Sequence, residues 1–179
     1  MTNKIICAGF GGQGLMSLGM LMTYAGMLEG KEVSWCPSYG AEMRGGTANC
    51  SVVVSDKPVG SPVVVNDATI VVAMNLPSLL KFEKSLAPGG KLFINSSLIE
   101  RKTERTDIDA YYIPANDIAN ELGNLKIANM VMLGAVLEKT GVVKPQSILD
   151  AFPKVFGESK AKLIPLNRAA IEKGEGSVR

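Results

Sequence analysis

"AGFGGQGLMS", residues 8–17, sets Gly9, Gly11 and Gly14 in a G-x-G-x-x-G spacing. The apolar run "KIICA" (4–8) precedes it, and a long apolar stretch, Leu15 to Leu28, follows. A short buried strand, a glycine turn and a helix is the opening unit of an α/β fold. In such a turn the first glycine permits the bend, the second lets a ligand approach the backbone, and the third lets the helix pack on the strand. The amides at the helix start favour an anion.

Outward from this unit, strands and helices alternate. "EVSWC" (32–36), "TANCSVVVS" (47–55), "ATIVVAMN" (68–75), "APGGKLFIN" (87–95) and "AYYIP" (110–114) read as strands. Helices are expected over Leu79–Leu86, over "ANDIANELG" (115–123) with Asn116 as its cap, and over Lys126–Lys139, Lys144–Phe156 and Lys160–Lys173. The expected fold is α/β: one Rossmann-like domain over 1–179, with a parallel or mixed sheet and a helical C-terminal portion from about residue 115. Leu15–Leu28 and Ile127–Leu137 are apolar on nearly every face. Either they are buried in a dense core, or another chain covers part of them.

Composition narrows the chemistry. The chain has 179 residues, 46% of them hydrophobic, and a net charge of +2, too small to argue for nucleic acid or an anionic membrane surface. No apolar stretch has the length of a membrane span, the start is not that of a signal peptide, and a cytoplasmic protein is expected. No histidine is present, which removes Ser-His and Cys-His nucleophile systems and the common metal sites. Cys7, Cys36 and Cys50 form no C-x-x-C pair and read as small buried hydrophobes rather than cluster or zinc ligands.

Two segments are candidates for a ligand. The glycine turn offers Gly11, Gly12, Gln13 and Gly14. The loop "SYGAEMRGG" (38–46) offers Tyr39, Glu42, Arg44 and Gly45, and by topology lies near the same sheet edge. Arg44 suits bidentate binding of a phosphate, while Glu42 suits a hydroxyl or a basic partner. A nicotinamide dinucleotide would also need a carboxylate at the end of the second strand. That strand ends in Cys36-Pro37-Ser38, and Glu29 and Glu32 stand at its beginning. Three readings remain at this point: a turn with no ligand, a phosphate-bearing ligand other than NAD, and an NAD(P)-dependent dehydrogenase. A nucleotide-sensing module is a further reading of the same residues. Asn75, Asn95, Ser96 and Ser97 stand at strand ends and suit turns or caps, or the lining of the same edge.

"GFGGQG" (9–14), "SYGAEMRGG" (38–46), "SPVV" (61–64) and "NMVMLGA" (129–135), in this order and spacing, resemble the gamma subunit of 2-oxoacid:ferredoxin oxidoreductases. The likeness covers about the first 140 residues and is strongest to the 2-oxoglutarate and branched-chain types. It implies a subunit, not catalytic alone, of a complex that decarboxylates a 2-oxoacid to an acyl-coenzyme A and reduces ferredoxin. It implies alpha, beta and ferredoxin-like delta partners that carry thiamine diphosphate, magnesium and iron–sulfur clusters. This chain lacks the G-D-G…N-N pattern of a thiamine diphosphate site. The resemblance leaves it a structural role and a contact with coenzyme A, whose phosphates suit a glycine turn beside an arginine loop and whose ribose needs no terminal acid.

Overall fold

A computed structural model describes residues 1–38 and 48–179. Six strands form one sheet: β1 Thr2–Gly9, β2 Glu32–Ser38, β3 Ala48–Ser55, β4 Ala68–Ala73, β5 Leu86–Asn95 and β6 Asp109–Ile113. Their order across the sheet is β2-β3-β1-β4-β5-β6. β1, β4, β5 and β6 are parallel, whereas β3 is antiparallel to both its neighbours. The sheet is therefore mixed, and the carboxyl ends of β1 and β2 lie on one edge.

Burial on both faces explains why the strands read as continuous apolar runs rather than alternating ones. Ile5, Cys7, Ile70, Val72 and Phe93 point into one core layer, and Ile6, Ala8, Val71, Ala73, Leu92 and Ile94 into the other. The first layer is closed by α1 Leu15–Leu28, α3 Ala115–Glu121, α4 Ala128–Thr140, α5 Pro145–Phe156 and α6 Ile164–Gly176. The second is closed by α2 Leu76–Phe82 and by loop residues such as Val64 and Ile99.

The two helices that are apolar all round are covered largely from within. α1 lies between the sheet and α5. Gly19 admits Cys50 and Trp35 against it, and Gly26 admits Val33 and Val54. In α4, Ala128 through Leu137 are all buried. The covering element is α6, and the crossing is tight: a Cβ on Gly134 would overlap the Ile171 carbonyl, and one on Gly174 the Val131 carbonyl. A dense core is thus the answer for α4, while α1 leaves Met27 and Leu28 exposed at its end.

Three local expectations need correction. The helix expected over Leu79–Leu86 runs over Leu76–Phe82, because Asn75 Oδ1 accepts the Ser78 N–H at 2.9 Å and Pro77 suits the first turn. Leu86 belongs instead to β5, paired with Ala68. Asn116 does not cap its helix: Pro114 holds the cap position, and Asn116 Oδ1 accepts from Asn95 Nδ2 at 2.8 Å. The last helix begins at Ile164, after a 3-10 turn over Glu158–Leu163.

Candidate ligand site at the carboxyl edge of the sheet

α1 leaves β1 on one face of the sheet and α2 leaves β4 on the other, so a crevice opens between the carboxyl ends of β1 and β4. This is where open α/β sheets bind ligands. The glycine turn forms one wall.

Gly9 ends β1 opposite Ala48, and a Cβ there would stand 2.5 Å from Gln13 Oε1 and 2.9 Å from Met74 Cβ. The left-handed backbone falls at Gly12 (φ 91°) and Gly14 (φ 76°). Gly11 and Gly12 are exposed, and a Cβ at either would meet nothing within 4 Å among the described residues. The backbone over this pair is thus open to a ligand. Gly14 serves a different neighbour from the one expected. A Cβ on it would lie 2.9 Å from Asn129 Cγ, so this glycine admits α4, not the strand.

Two side-chain amides hold the turn. Gln13 Oε1 accepts the Phe10 N–H at 2.6 Å, and its Nε2 donates to the Met74 carbonyl at 3.3 Å. Asn129 Nδ2 donates to the Gly14 carbonyl at 3.1 Å. Gln13 therefore braces the turn with both ends of its amide. The first turn of α1 has no side-chain cap and no acidic residue. Its leading N–H groups, which no intrahelical carbonyl can reach, meet no side-chain acceptor among the described residues and suit an anion. They border a recess of about 270 Å³ lined by Phe10, Gly11, Gly12, Leu15, Met16 and Ala48.

Tyr39, Glu42, Arg44 and Gly45 lie outside the described residues. The residues flanking them are placed: Ser38 pairs with Asn49, and Ala48 with Gly9, all at this same edge. Asn75 and Asn95, both buried, serve as the α2 cap and as donor to Asn116. Ser97 Oγ meets Asp117 at the start of α3, donating to its carboxylate at 2.8 Å. On the far side of the turn, Asn116, Lys126 and Asn129 line a smaller recess of about 160 Å³ with Gly12. These three were not among the expected ligand residues. The one signal was Asn129, a polar residue opening an otherwise apolar helix.

The geometry bears on the dinucleotide reading. β3 stands between β1 and β2, so the end of β2 is two strand spacings, roughly 10 Å, from the glycine turn. Glu32 pairs with Ser55 at the opposite edge. Glu29 is engaged with Lys31 at 3.0 Å and with the Lys144 N–H at 2.6 Å. Among the described residues, no carboxylate stands where the second ribose would need one.

Cys7 and Cys50 face each other across β1 and β3. The neighbouring Cys50 sulfur and full burial push the Cys7 thiol well above its ordinary value. It is a neutral packing group, as its strand context implied.

The family model described as "Pyruvate ferredoxin/flavodoxin oxidoreductase" matches residues 4–176. The chain belongs to this family. Among curated relatives of this oxidoreductase family chain, the ketoisovalerate oxidoreductase subunit VorA of Methanothermobacter thermautotrophicus is 38% identical over 173 residues, 96% of this chain and 35% of the relative. The chain thus spans about a third of that relative's length. The 2-oxoglutarate synthase subunit KorC of Methanocaldococcus jannaschii is 36% identical over 161 residues, 86% of each chain. Among solved structures, the gamma subunit of a keto/oxoacid ferredoxin oxidoreductase from Geobacter sulfurreducens aligns with a TM-score of 0.82 at 29% identity, over 98% of both chains. The resemblance read from the four motifs is therefore that of the family, and the α/β fold is that of its gamma subunits. Among the described residues, no helix is long and apolar enough to cross a membrane.

Proposed function

We propose that the chain, as one unit over 1–179, is the gamma subunit of a cytoplasmic complex that oxidatively decarboxylates a 2-oxoacid to its acyl-coenzyme A and reduces ferredoxin. Its partners are alpha, beta and delta subunits, which carry thiamine diphosphate, magnesium and the iron–sulfur clusters. This chain supplies no catalytic group of its own. It supplies a frame and a contact for coenzyme A, which brings the thiol that accepts the acyl group.

The observation that carries this reading is the open backbone over Gly11 and Gly12 beside the uncapped start of α1. That surface suits a phosphate and, with no carboxylate at the end of β2, does not demand a free ribose diol. Gly14 and Gln13 hold the turn in shape. Tyr39, Glu42, Arg44 and Gly45 complete the contact from the neighbouring loop, with Arg44 on a phosphate. The substrate we assign first is 2-oxoglutarate, in line with KorC, whose likeness extends over 86% of both chains.

In the assembled complex, Arg44→Ala is expected to raise the apparent coenzyme A KM by about ten-fold or more, the value of a charge-assisted hydrogen bond, with a smaller effect on kcat. An unchanged KM would remove Arg44 from the site. Assays with 2-oxoglutarate and with a branched-chain 2-oxoacid decide the substrate, and a preference for the latter would overturn the assignment.

A further inference from the structure

Cys7 on β1 and Cys50 on β3 stand directly opposite each other in the antiparallel ladder. Both side chains enter the same core layer, and both thiols are free and fully buried. The Lys4 N–H and the Ala8 carbonyl turn away from β3, toward Thr69 Oγ1 of β4 and the Met74 N–H just after it. Cys7 alternates with these residues, so its own backbone turns toward β3 and makes a hydrogen-bonded pair with Cys50, at a Cα separation of about 5.5 Å. That lies inside the span a disulfide bridges, while the Cβ atoms of such a pair stand wider than a relaxed bridge prefers.

The surroundings of Cys50 fit it to react first. A Cβ on Gly19 of α1 would stand 2.6 Å from Cys50 Sγ and 3.0 Å from Trp35 Nε1, so sulfur and indole reach the same gap over this glycine. The Trp35 N–H is buried there with no ordinary hydrogen-bond partner among the described residues. The hydrogen bond with Cys7 holds the Cys50 thiol below its ordinary value, against burial and with help from the Trp35 indole, whereas Cys7 is pushed well above its own. One sulfur is thus disposed to be the attacking thiolate and the other the thiol that resolves it. Cys36 does not compete: it pairs with Ser51, so its side chain points to the opposite face of the sheet from that of Cys50.

We propose that Cys7 and Cys50 are a redox-active dithiol that closes reversibly to a disulfide within the sheet by exchange with a small-molecule disulfide. The Cys50 thiolate attacks one sulfur of the small disulfide and expels the other as a thiolate. The Cys7 thiol gives its proton to that thiolate and displaces the second small thiol from Cys50. The protein loses two hydrogens, and one small disulfide becomes two thiols. The wide Cβ spacing makes the bond easily reduced, the mark of a regulatory rather than a structural bridge. Closure also removes the S–H that Cys50 donates to the Leu15 carbonyl at 3.5 Å. Leu15 is the first residue of α1, so the joint beneath the glycine turn differs between the two states.

Equilibration of the full chain with glutathione, at graded ratios of its disulfide to its thiol, tests this. Because both sulfurs are buried, exchange proceeds through local opening, and it is followed until samples started reduced and started oxidised agree. Thiols counted after denaturation should fall from three to one, and peptide mapping should find Cys7 joined to Cys50. Trp35 is the only tryptophan, and its fluorescence should be quenched on closure and restored by excess dithiothreitol. Cys7→Ala and Cys50→Ala should each abolish the quenching, and Cys36→Ala should keep it. Counting and mapping need no variant, so a failure of either substitution to fold leaves the test intact. Three thiols at every ratio, glutathione adducts in place of the bridge, or a bridge that includes Cys36 overturns the proposal.

Discussion

Gly14 and Asn129 are 115 positions apart and meet at one hydrogen bond. Gly14 takes a left-handed φ of 76° and leaves no room for a Cβ beside Asn129. Gly14→Ala should therefore cost about 2–3 kcal/mol, from backbone strain and from displacing the amide. Gly11→Ala, which meets open space, should stay within about 0.5 kcal/mol. Urea denaturation of the two variants compares them directly, and equal losses would contradict the division of labour in the turn. The spacing of the glycines was legible in the sequence, and so was their place between strand and helix. Which glycine faces the ligand and which faces a distant helix was not, because the answer depends on Asn129, whose approach no local pattern encodes.

At the scale of elements, α4 and α6 touch through Gly134 and Gly174, each against a backbone carbonyl that cannot rotate away. Alanine at either position should force the helices apart and cost about 3 kcal/mol; thermal unfolding measures it, and an unchanged Tm would refute the crossing. A second joint lies where α1 ends and α5 begins. Partial burial pushes the Glu29 carboxyl up, but the Lys144 N–H, the Ser147 hydroxyl and the Lys31 ammonium together outweigh this and hold it below its ordinary value. A carboxylate depressed in the folded state stabilises above its unfolded pKa of about 4.3, and that contribution fades as pH falls through the lower folded value. Stability curves of wild type and Glu29→Gln should thus converge as acid is added below that pH. Parallel curves would show that Glu29 contributes nothing. The helices α1 and α4 are legible as apolar runs, and α5 as the helix expected over Lys144–Phe156. Their partners are not, since an all-round apolar helix looks the same whether its own chain or another covers it.

For the whole molecule, the sequence pattern disclosed strands alternating with helices but not their order. Local patterns carry no record of which strands become neighbours, and β3 entered between β1 and β2 without any mark in its composition. The two core layers are closed by elements of this chain on both faces of one sheet. The chain purified by itself should therefore unfold in urea in one cooperative transition, with near-UV circular dichroism and fluorescence changing together. Separate transitions by the two probes would mean that the layers need a partner to form.

The antiparallel insertion of β3 also has a consequence for how the sheet can vary. Because β2 and β3 are zipped from Glu32–Ser55 to Ser38–Asn49, the stretch joining them begins and ends on adjoining rungs of one ladder. Nothing downstream is re-registered if that stretch is lengthened, shortened or exchanged. The β2–β3 pairing is thus held by its own rungs, and the core beneath it can be inherited unchanged by chains that differ between positions 38 and 48.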